Sequence, residues 1–261
     1  MTLKLRTVRV TRYVTPLREG GSLPAIVEAD DAGMYVLKFR GAGQGPKVLT
    51  AELIAGELAR AAGLRIPELV FIELDADLAR TEPDPEIQQL IRASGGLNLA
   101  LDYLPGSVTF DPIVDQPEAL LASSIVWFDA WCSNVDRTAR NANMLMWHRQ
   151  LWLIDHGAAF YFHHGWNEQD RSQDPFPLIK DHILLKFAAS LADADAALTA
   201  RLDPEVIRAV VESGPEEWLA ADQSFASTRA TRDAYIRHLT RRLQAPRAFV
   251  TEAVSARSKL V

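Results

Sequence analysis

Apolar and polar positions alternate over the first forty residues. Val8 and Val10 stand between Thr7, Arg9 and Thr11, and apolar runs follow at Ala25-Ile26-Val27 and Met34-Tyr35-Val36-Leu37. A period near two predicts strands, and the clusters Arg18-Glu19-Gly20-Gly21-Ser22 and Asp30-Asp31-Ala32-Gly33 predict the turns that make them an antiparallel sheet. Residues 41–47, Gly-Ala-Gly-Gln-Gly-Pro-Lys, read as a loop. Thr50 is placed to cap a helix carrying Leu53, Ile54 and Leu58, which Gly63 ends. A strand over Leu69–Leu74, a Pro- and acid-rich excursion from Thr81 to Glu86, and a short helix ending near Ser94-Gly95-Gly96 come next. The strand-like Leu97–Leu104 is closed by Pro105-Gly106. Beyond that point the spacing turns helical, over Pro117–Ser133 and most of 178–261, interrupted by a short hairpin from Met144 to Ile154.

A β-rich first part followed by a helical second part predicts an α+β chain of two lobes, 1–104 and 105–261, rather than a doubly wound sheet. The cleft between the lobes is the expected ligand site. With 261 residues, 48% of them apolar, the chain can bury a substantial core. Its 28 basic and 34 acidic side chains leave a net charge of −6, which gives no global attraction for nucleic acid. A single cysteine, Cys132, forms no intramolecular disulfide, and the N-terminus lacks the apolar run of a signal peptide, so a cytoplasmic setting is expected. No uncharged apolar run approaches the roughly 18 residues needed to cross a bilayer, and no membrane partner is expected.

The most informative stretch is Ser133-Asn-Val-Asp-Arg-Thr-Ala-Arg-Asn-Ala-Asn143, followed by the hairpin and by Leu153-Ile154-Asp155-His156-Gly157. The hairpin brings the polar ends of its two strands together. Asp136 and Asn141 precede it, and Asp155 comes directly after its apolar second strand. Phosphoryl transfer needs a carboxylate to orient the attacking hydroxyl and oxygen ligands to hold magnesium against the phosphates. Asp136 suits the first task; Asn141 and Asp155, one neutral and one anionic oxygen donor, suit the second. Each piece alone reads equally well as an ordinary polar turn. Their conjunction is what points to a phosphotransfer site.

These residues resemble the HipA-like kinases, atypical members of the protein-kinase-like fold. The resemblance spans most of the chain and rests on YVLKF at 35–39, AELIAGELARAAGLRIPEL at 51–69, the DRTARN loop and LIDHG. It implies a two-lobed fold, with an N-terminal antiparallel sheet plus helix and a mainly helical C-terminal lobe. The implied activity is ATP- and magnesium-dependent transfer of the γ-phosphate to a hydroxyl of a protein or small molecule. It further implies that Lys38 pairs with the nucleotide phosphates and that Glu52 anchors that lysine. Read without the resemblance, a lysine between Leu37 and Phe39 points to solvent by simple alternation. Glu57 competes with Glu52, but the two lie on different faces of a helix and only one can meet the strand.

Two glycine-rich segments, Gly20-Gly21-Ser22 and Gly41-Ala-Gly43-Gln-Gly45, are candidates to lie against the phosphates. Backbone groups around Leu101 and Tyr103 are candidates to hydrogen-bond adenine at the hinge. The turn reads Asp-His-Gly where related kinases have Asp-Phe-Gly, which keeps the metal ligand and replaces an apolar residue with an ionisable one. Toxins of this family carry further N-terminal structure and pair with a DNA-binding antitoxin; neither that activity nor that partner is carried over to this chain. Two other readings compete: a catalytically silent nucleotide-binding scaffold, and a metabolite kinase similar in fold to the aminoglycoside kinases. His163-His164 has no zinc-site spacing, Cys132 sits in an apolar helix as an inert thiol, and no GxSxG elbow is present. Arg229, Arg232, Arg237, Arg241 and Arg242 make the C-terminal helical region basic, either as a solvated face or as a dock for an acidic partner.

Overall fold

A computed structural model describes residues 4–17, 23–43, 45–166, 170–222 and 224–260, so the Gly20-Gly21-Ser22 segment lies outside the described residues. Strand β1 (Thr7–Pro16) buries Val8 and Val10 and exposes their neighbours. It pairs antiparallel with β2 (Ala25–Ala29), which pairs with β3 (Met34–Lys38). Helix α1 (Pro46–Ala61), β4 (Leu69–Leu74), a 3-10 turn at Ala76–Thr81, helix α2 (Pro85–Ala93) and β5 (Gly96–Asp102) complete this part. The sheet order is β1-β2-β3-β5-β4, and the sheet closes into a barrel because β4 pairs in parallel with β1, Val8 opposite Ile72. The expected sheet was wholly antiparallel; this closing pair is the departure, and it leaves no open edge. The barrel interior holds Val10, Val27, Tyr35, Leu37, Val70 and Ile72, and α2 covers it with Ile87 and Ile91, one turn apart on a single face.

Helix α1 begins at Pro46, four residues before the Thr50 expected to cap it. Gly45, at φ 67°, breaks the chain and Pro46 supplies a φ suited to the first helical position; the Thr50 hydroxyl instead donates back to Pro46 O at 3.1 Å. Every residue from Leu49 to Ala59 is buried, the signature of a helix covered on all sides. Leu49 and Leu53 pack with Leu69, Leu99 and Leu101 of the sheet, while Ile54, Ala55 and Leu58 pack into the core of the helical part. At Gly56 a methyl group would come within 2.7 Å of Leu69 Cδ1, so the missing side chain sets how closely α1 lies on β4.

The chain leaves the barrel after Asp102 and enters a three-stranded sheet, β6 (Val108–Thr109), β7 (Met144–Trp147) and β8 (Gln150–Leu153), with α3 (Ala119–Trp131) between β6 and β7. His148 and Arg149, at φ 47° and 61°, make the two-residue turn of the β7–β8 hairpin. Helices α4 (Leu191–Arg201), α5 (Pro204–Glu212), α6 (Glu216–Leu219), α7 (Thr228–Arg242) and α8 (Ala248–Ser258) finish the chain. The core here centres on α3, whose Trp127 stacks on Trp131 at 6.0 Å and meets Phe249 of α8 edge-on at 5.3 Å. Trp218 of α6 reaches the other way, into the layer between α1 and the sheet. Its ring meets Phe71 edge-on at 5.7 Å and its Nε1–H donates to Leu97 O at 3.3 Å.

Candidate active site

Lys38 ends β3 opposite Leu99 of β5, on the sheet face away from the barrel interior. The alternation expected from the sequence is present, but the face it points Lys38 toward is covered by α1, so the side chain is buried and not solvated. Its Nζ lies 2.7 Å from Asp155 Oδ1 and 3.9 Å from Glu52 Oε2. Burial works against the ammonium; Glu52 and then Asp155 outweigh it and hold the lysine above its ordinary pKa. Glu52 is 1% exposed, and neither carboxylate oxygen has a hydrogen-bond partner among the described residues. Burial raises its pKa, but the charge of Lys38 and the proximity of His156 prevail and bring it down to about 2. Glu57 faces elsewhere, against Arg60 at 3.3 Å, and burial pushes its carboxyl up. Of the two competing glutamates, Glu52 is the one beside the lysine.

Asp136 and Asn141 come together in the loop between α3 and β7. The Asn141 amide donates to Asp136 Oδ2 at 2.7 Å and that of Asn143 at 3.2 Å, which leaves the Asn141 side-chain oxygen as an acceptor not used in this pair. Asp155 follows β8 at φ 55°, a conformation rarely adopted by a residue with a side chain and concentrated at functional sites. At Gly157 a methyl would stand 2.6 Å from Val48 Cγ1 and 3.6 Å from Glu52 Oε2. The glycine is what lets the start of α1 close onto the Asp155 turn. His156, between them, is fully buried, with Nδ1 3.9 Å from Glu52 Oε1.

The loop hangs on an ion-pair network that the sequence reading did not single out. Asp129, fully buried in α3, accepts from Arg137 Nε at 2.6 Å, from Asn134 Nδ2 at 3.0 Å, and faces His182 Nε2 at 2.9 Å. Arg137 also donates to the carbonyls of Asn143 and Ile154, so one guanidinium ties α3 to the residues just before β7 and just before Asp155. Burial disfavours the Asp129 anion, yet Arg137 and then His182 hold its pKa far below the carboxylate range. The signal was present in the sequence: a lone carboxylate in the apolar run Ile-Val-Trp-Phe-Asp-Ala-Trp demands a buried partner.

Other candidate positions fall as follows. Gly41 packs against Ala93 of α2 and its N–H donates to Ser94 Oγ at 3.0 Å, whereas a methyl at Gly43 or Gly45 would meet nothing within 4 Å. At the hinge, Tyr103 N–H is given to Met34 O at 3.0 Å, and Leu101 lies inside the ladder between Val36 and Leu69. Among the described residues, the first backbone N–H beyond Tyr103 without such a bond is that of Leu104. The basic helix is largely spoken for, with Arg229 on Asp233, Arg232 on Glu216, Arg241 on Asp170 and Arg242 buried against the carbonyls of Ala130 and Trp131. His163 meets the Tyr235 hydroxyl at 2.7 Å and His164 at 3.2 Å. The Cys132 thiol is buried, and burial pushes its pKa well up. No helix among the described residues is long and apolar enough to cross a membrane.

The family model described as HipA-like kinase matches residues 10–249. The chain belongs to the HipA-like kinase family. A search of curated proteins returns no significant match. Among solved structures, this HipA-like kinase is similar to the proinflammatory kinase CtkA of Helicobacter pylori, at 11% identity and a TM-score of 0.55, covering 98% of this chain and 99% of that one. It is also similar to the Golgi casein kinase, at 12% identity and a TM-score of 0.51 over 98% of this chain and 74% of that one. A second structure of that kinase, with Mn/ADP bound, matches at 11% identity and a TM-score of 0.50 over 97% and 73%. At such identities the shared property is the fold. Family and fold together make this chain a kinase.

Proposed function

We propose that this HipA-like kinase transfers the γ-phosphate of magnesium-bound ATP to a hydroxyl group of its acceptor, in the cleft between residues 1–104 and 105–261. The observation that carries the reading is the convergence on Lys38: Asp155 at 2.7 Å and Glu52 at 3.9 Å, contributed by β3, the β8 turn and α1. An ammonium held between two carboxylates in a buried site is positioned to exchange one of them for phosphate oxygens when nucleotide binds. Glu52 keeps the lysine in place through that exchange.

The donor set fits magnesium. That ion takes hard oxygen ligands, keeps several waters and is held by one or two protein oxygens plus phosphates, and Asp155 and the Asn141 side-chain oxygen are the residues that would hold it. Bound there, magnesium neutralises charge on the phosphates. Asp136, steadied by Asn141 and Asn143, orients the acceptor hydroxyl. The acceptor oxygen forms its bond to the γ-phosphorus as the bridging bond to ADP breaks, and the hydroxyl proton passes to Asp136. Asp136 contributes mainly alignment, with proton removal late in a loose transition state. Leu104 N–H, in place of that of Tyr103, serves the adenine edge, and the space beside Gly43 and Gly45, where a methyl would meet nothing within 4 Å, is open to the phosphates.

Thermal-shift titration with ATP and magnesium, followed by labelled-phosphate transfer to protein and metabolite panels, tests this. Lys38→Met should remove the magnesium–ATP shift, and Asp136→Ala and Asp155→Ala should abolish transfer while leaving the fold intact. Transfer that persists in Asp155→Ala would overturn the assignment.

A further inference from the structure

Four of the ten large hydrophobic residues exposed among the described residues fall within thirteen positions: Val108, Ile113, Val114 and Leu120. Ile113 is 83% exposed and Val114 76%. Scattered single exposures need no explanation; a cluster does. The chain that presents them is internally braced. Asp111 N–H donates to Asp115 Oδ2 at 3.0 Å, Ile113 N–H to Asp111 Oδ1 at 2.9 Å, and Val114 and Asp115 N–H to Asp111 O at 3.0 and 2.7 Å. A turn fixed this way loses little conformational freedom when something docks on it.

The electrostatics select the partner. Asp111, Asp115 and Glu118 accompany the aliphatic residues, and none of the three is in an ion pair among the described residues. No lysine or arginine occurs between Arg92 and Arg137. Carboxylates around an apolar turn repel phosphate-bearing surfaces and attract cations. The position is also apt: Phe110 N–H donates to Met144 O at 3.1 Å and β6 pairs with β7, the strand that starts directly after Asn143.

We propose that this aliphatic turn, with three carboxylates outside any ion pair among the described residues, is a docking surface for a basic, aliphatic-bearing peptide segment of the protein acceptor. That the docked protein is the acceptor rests on the phosphotransfer reading above; the surface itself does not, and the two are tested apart. The probe is an array of fluorescein-labelled peptides in which two arginines and two leucines are set at varied separations. Control arms replace arginine by glutamate or leucine by serine, and binding is read by anisotropy. Basic–aliphatic peptides should bind, and each control arm and the double variant Ile113→Ser/Val114→Ser should weaken binding about tenfold or more. Glu118→Lys and added salt should also weaken it. The magnesium–ATP thermal shift and basal ATP hydrolysis should be unchanged in these variants. Absence of binding by every peptide, or equal binding by the double variant, would overturn the proposal. So would a dimer in sedimentation that the double variant dissolves, since the face would then belong to a second copy. Peptide binding without ATP turnover in any protein would leave the surface standing and sink the phosphotransfer reading instead.

Discussion

Removing the Asp129 carboxylate separates the chemistry of the site from the frame that holds it. Asp129 touches no reacting atom, yet it receives Arg137, Asn134 and His182 in a fully buried position, and Arg137 carries that tie on to Asn143 and Ile154. Deleting one member of a buried ion pair costs about 3–5 kcal/mol, chiefly because the other charge is left unpaired. At about 2–4 °C per kcal/mol for a chain of this size, Asp129→Ala should lower Tm by roughly 6–20 °C. The pH dependence has a definite sign. The folded pKa of Asp129 lies below the ordinary value of about 3.9, so its contribution is fully present above about pH 5 and is lost as pH falls below about 4. The Tm gap between parent and Asp129→Asn should therefore be flat near neutrality and narrow in acid. Both are read from melts across pH, with phosphate transfer measured below the lower Tm. There kcat should fall about a hundredfold, because small misplacements of reacting groups cost that much. A Tm for Asp129→Ala within about 2 °C of the parent would refute the claim that this pair holds the loop.

Three further substitutions probe the layer between α1 and its neighbours. Glu52→Gln removes the counter-charge from buried Lys38 while keeping its shape; KM for ATP should rise at least tenfold by P–O transfer assay, with the wild-type advantage in stability again shrinking below about pH 4 because the Glu52 pKa is lowered to about 2. Gly157→Ala drives a methyl against Val48 Cγ1 at 2.6 Å, and a β-branched side chain in a helix has little rotamer freedom to give way, so urea denaturation should show a loss of about 1–3 kcal/mol. Trp218→Ala empties the space under Phe71 and Leu53, and the same measurement should register about 3–5 kcal/mol.

The candidate residues stand out in the sequence because the chemistry proposed for them dictates their types and spacing. Asp136, Asn141 and Asp155 sit at the two ends of a hairpin that period-two alternation and a turn make visible. The supports were less legible because burial is a tertiary property. Nothing in the alternation of β3 says that the face bearing Lys38 is covered by α1, and only the eleven-residue buried run reveals it. The start of α1 was misjudged by five residues because Thr50 has the chemistry of a cap, while Gly45 and Pro46 fix the true start through backbone geometry. Likewise nothing in the sequence says that Leu101 lies in the ladder between β3 and β4, or that the Tyr103 N–H is given to the Met34 carbonyl. Asp129 was the one support that a stricter reading of charge in an apolar helix would have found.

The burial of α1 also constrains how such a kinase can be controlled. To draw Glu52 away from Lys38, the helix would have to slide between the sheet on one side and α5 and α6 on the other. That motion would expose Leu49, Leu53, Ile54 and Leu58, all at most 2% exposed, at about 1.5–3 kcal/mol each, or about 6–12 kcal/mol in all. Allosteric coupling energies are typically about 1–3 kcal/mol, too small to populate such a state. Trp218 adds to the barrier by filling the same layer from α6. The burial of α1 thus argues for a Lys38–Glu52 pair that stays in place as the protein fluctuates. Native-state hydrogen exchange checks this: the amides of Leu53 to Leu58 should exchange only through global unfolding, with or without magnesium and ATP. Exchange from those amides through a subglobal opening that nucleotide closes would show that α1 moves, and would overturn the argument.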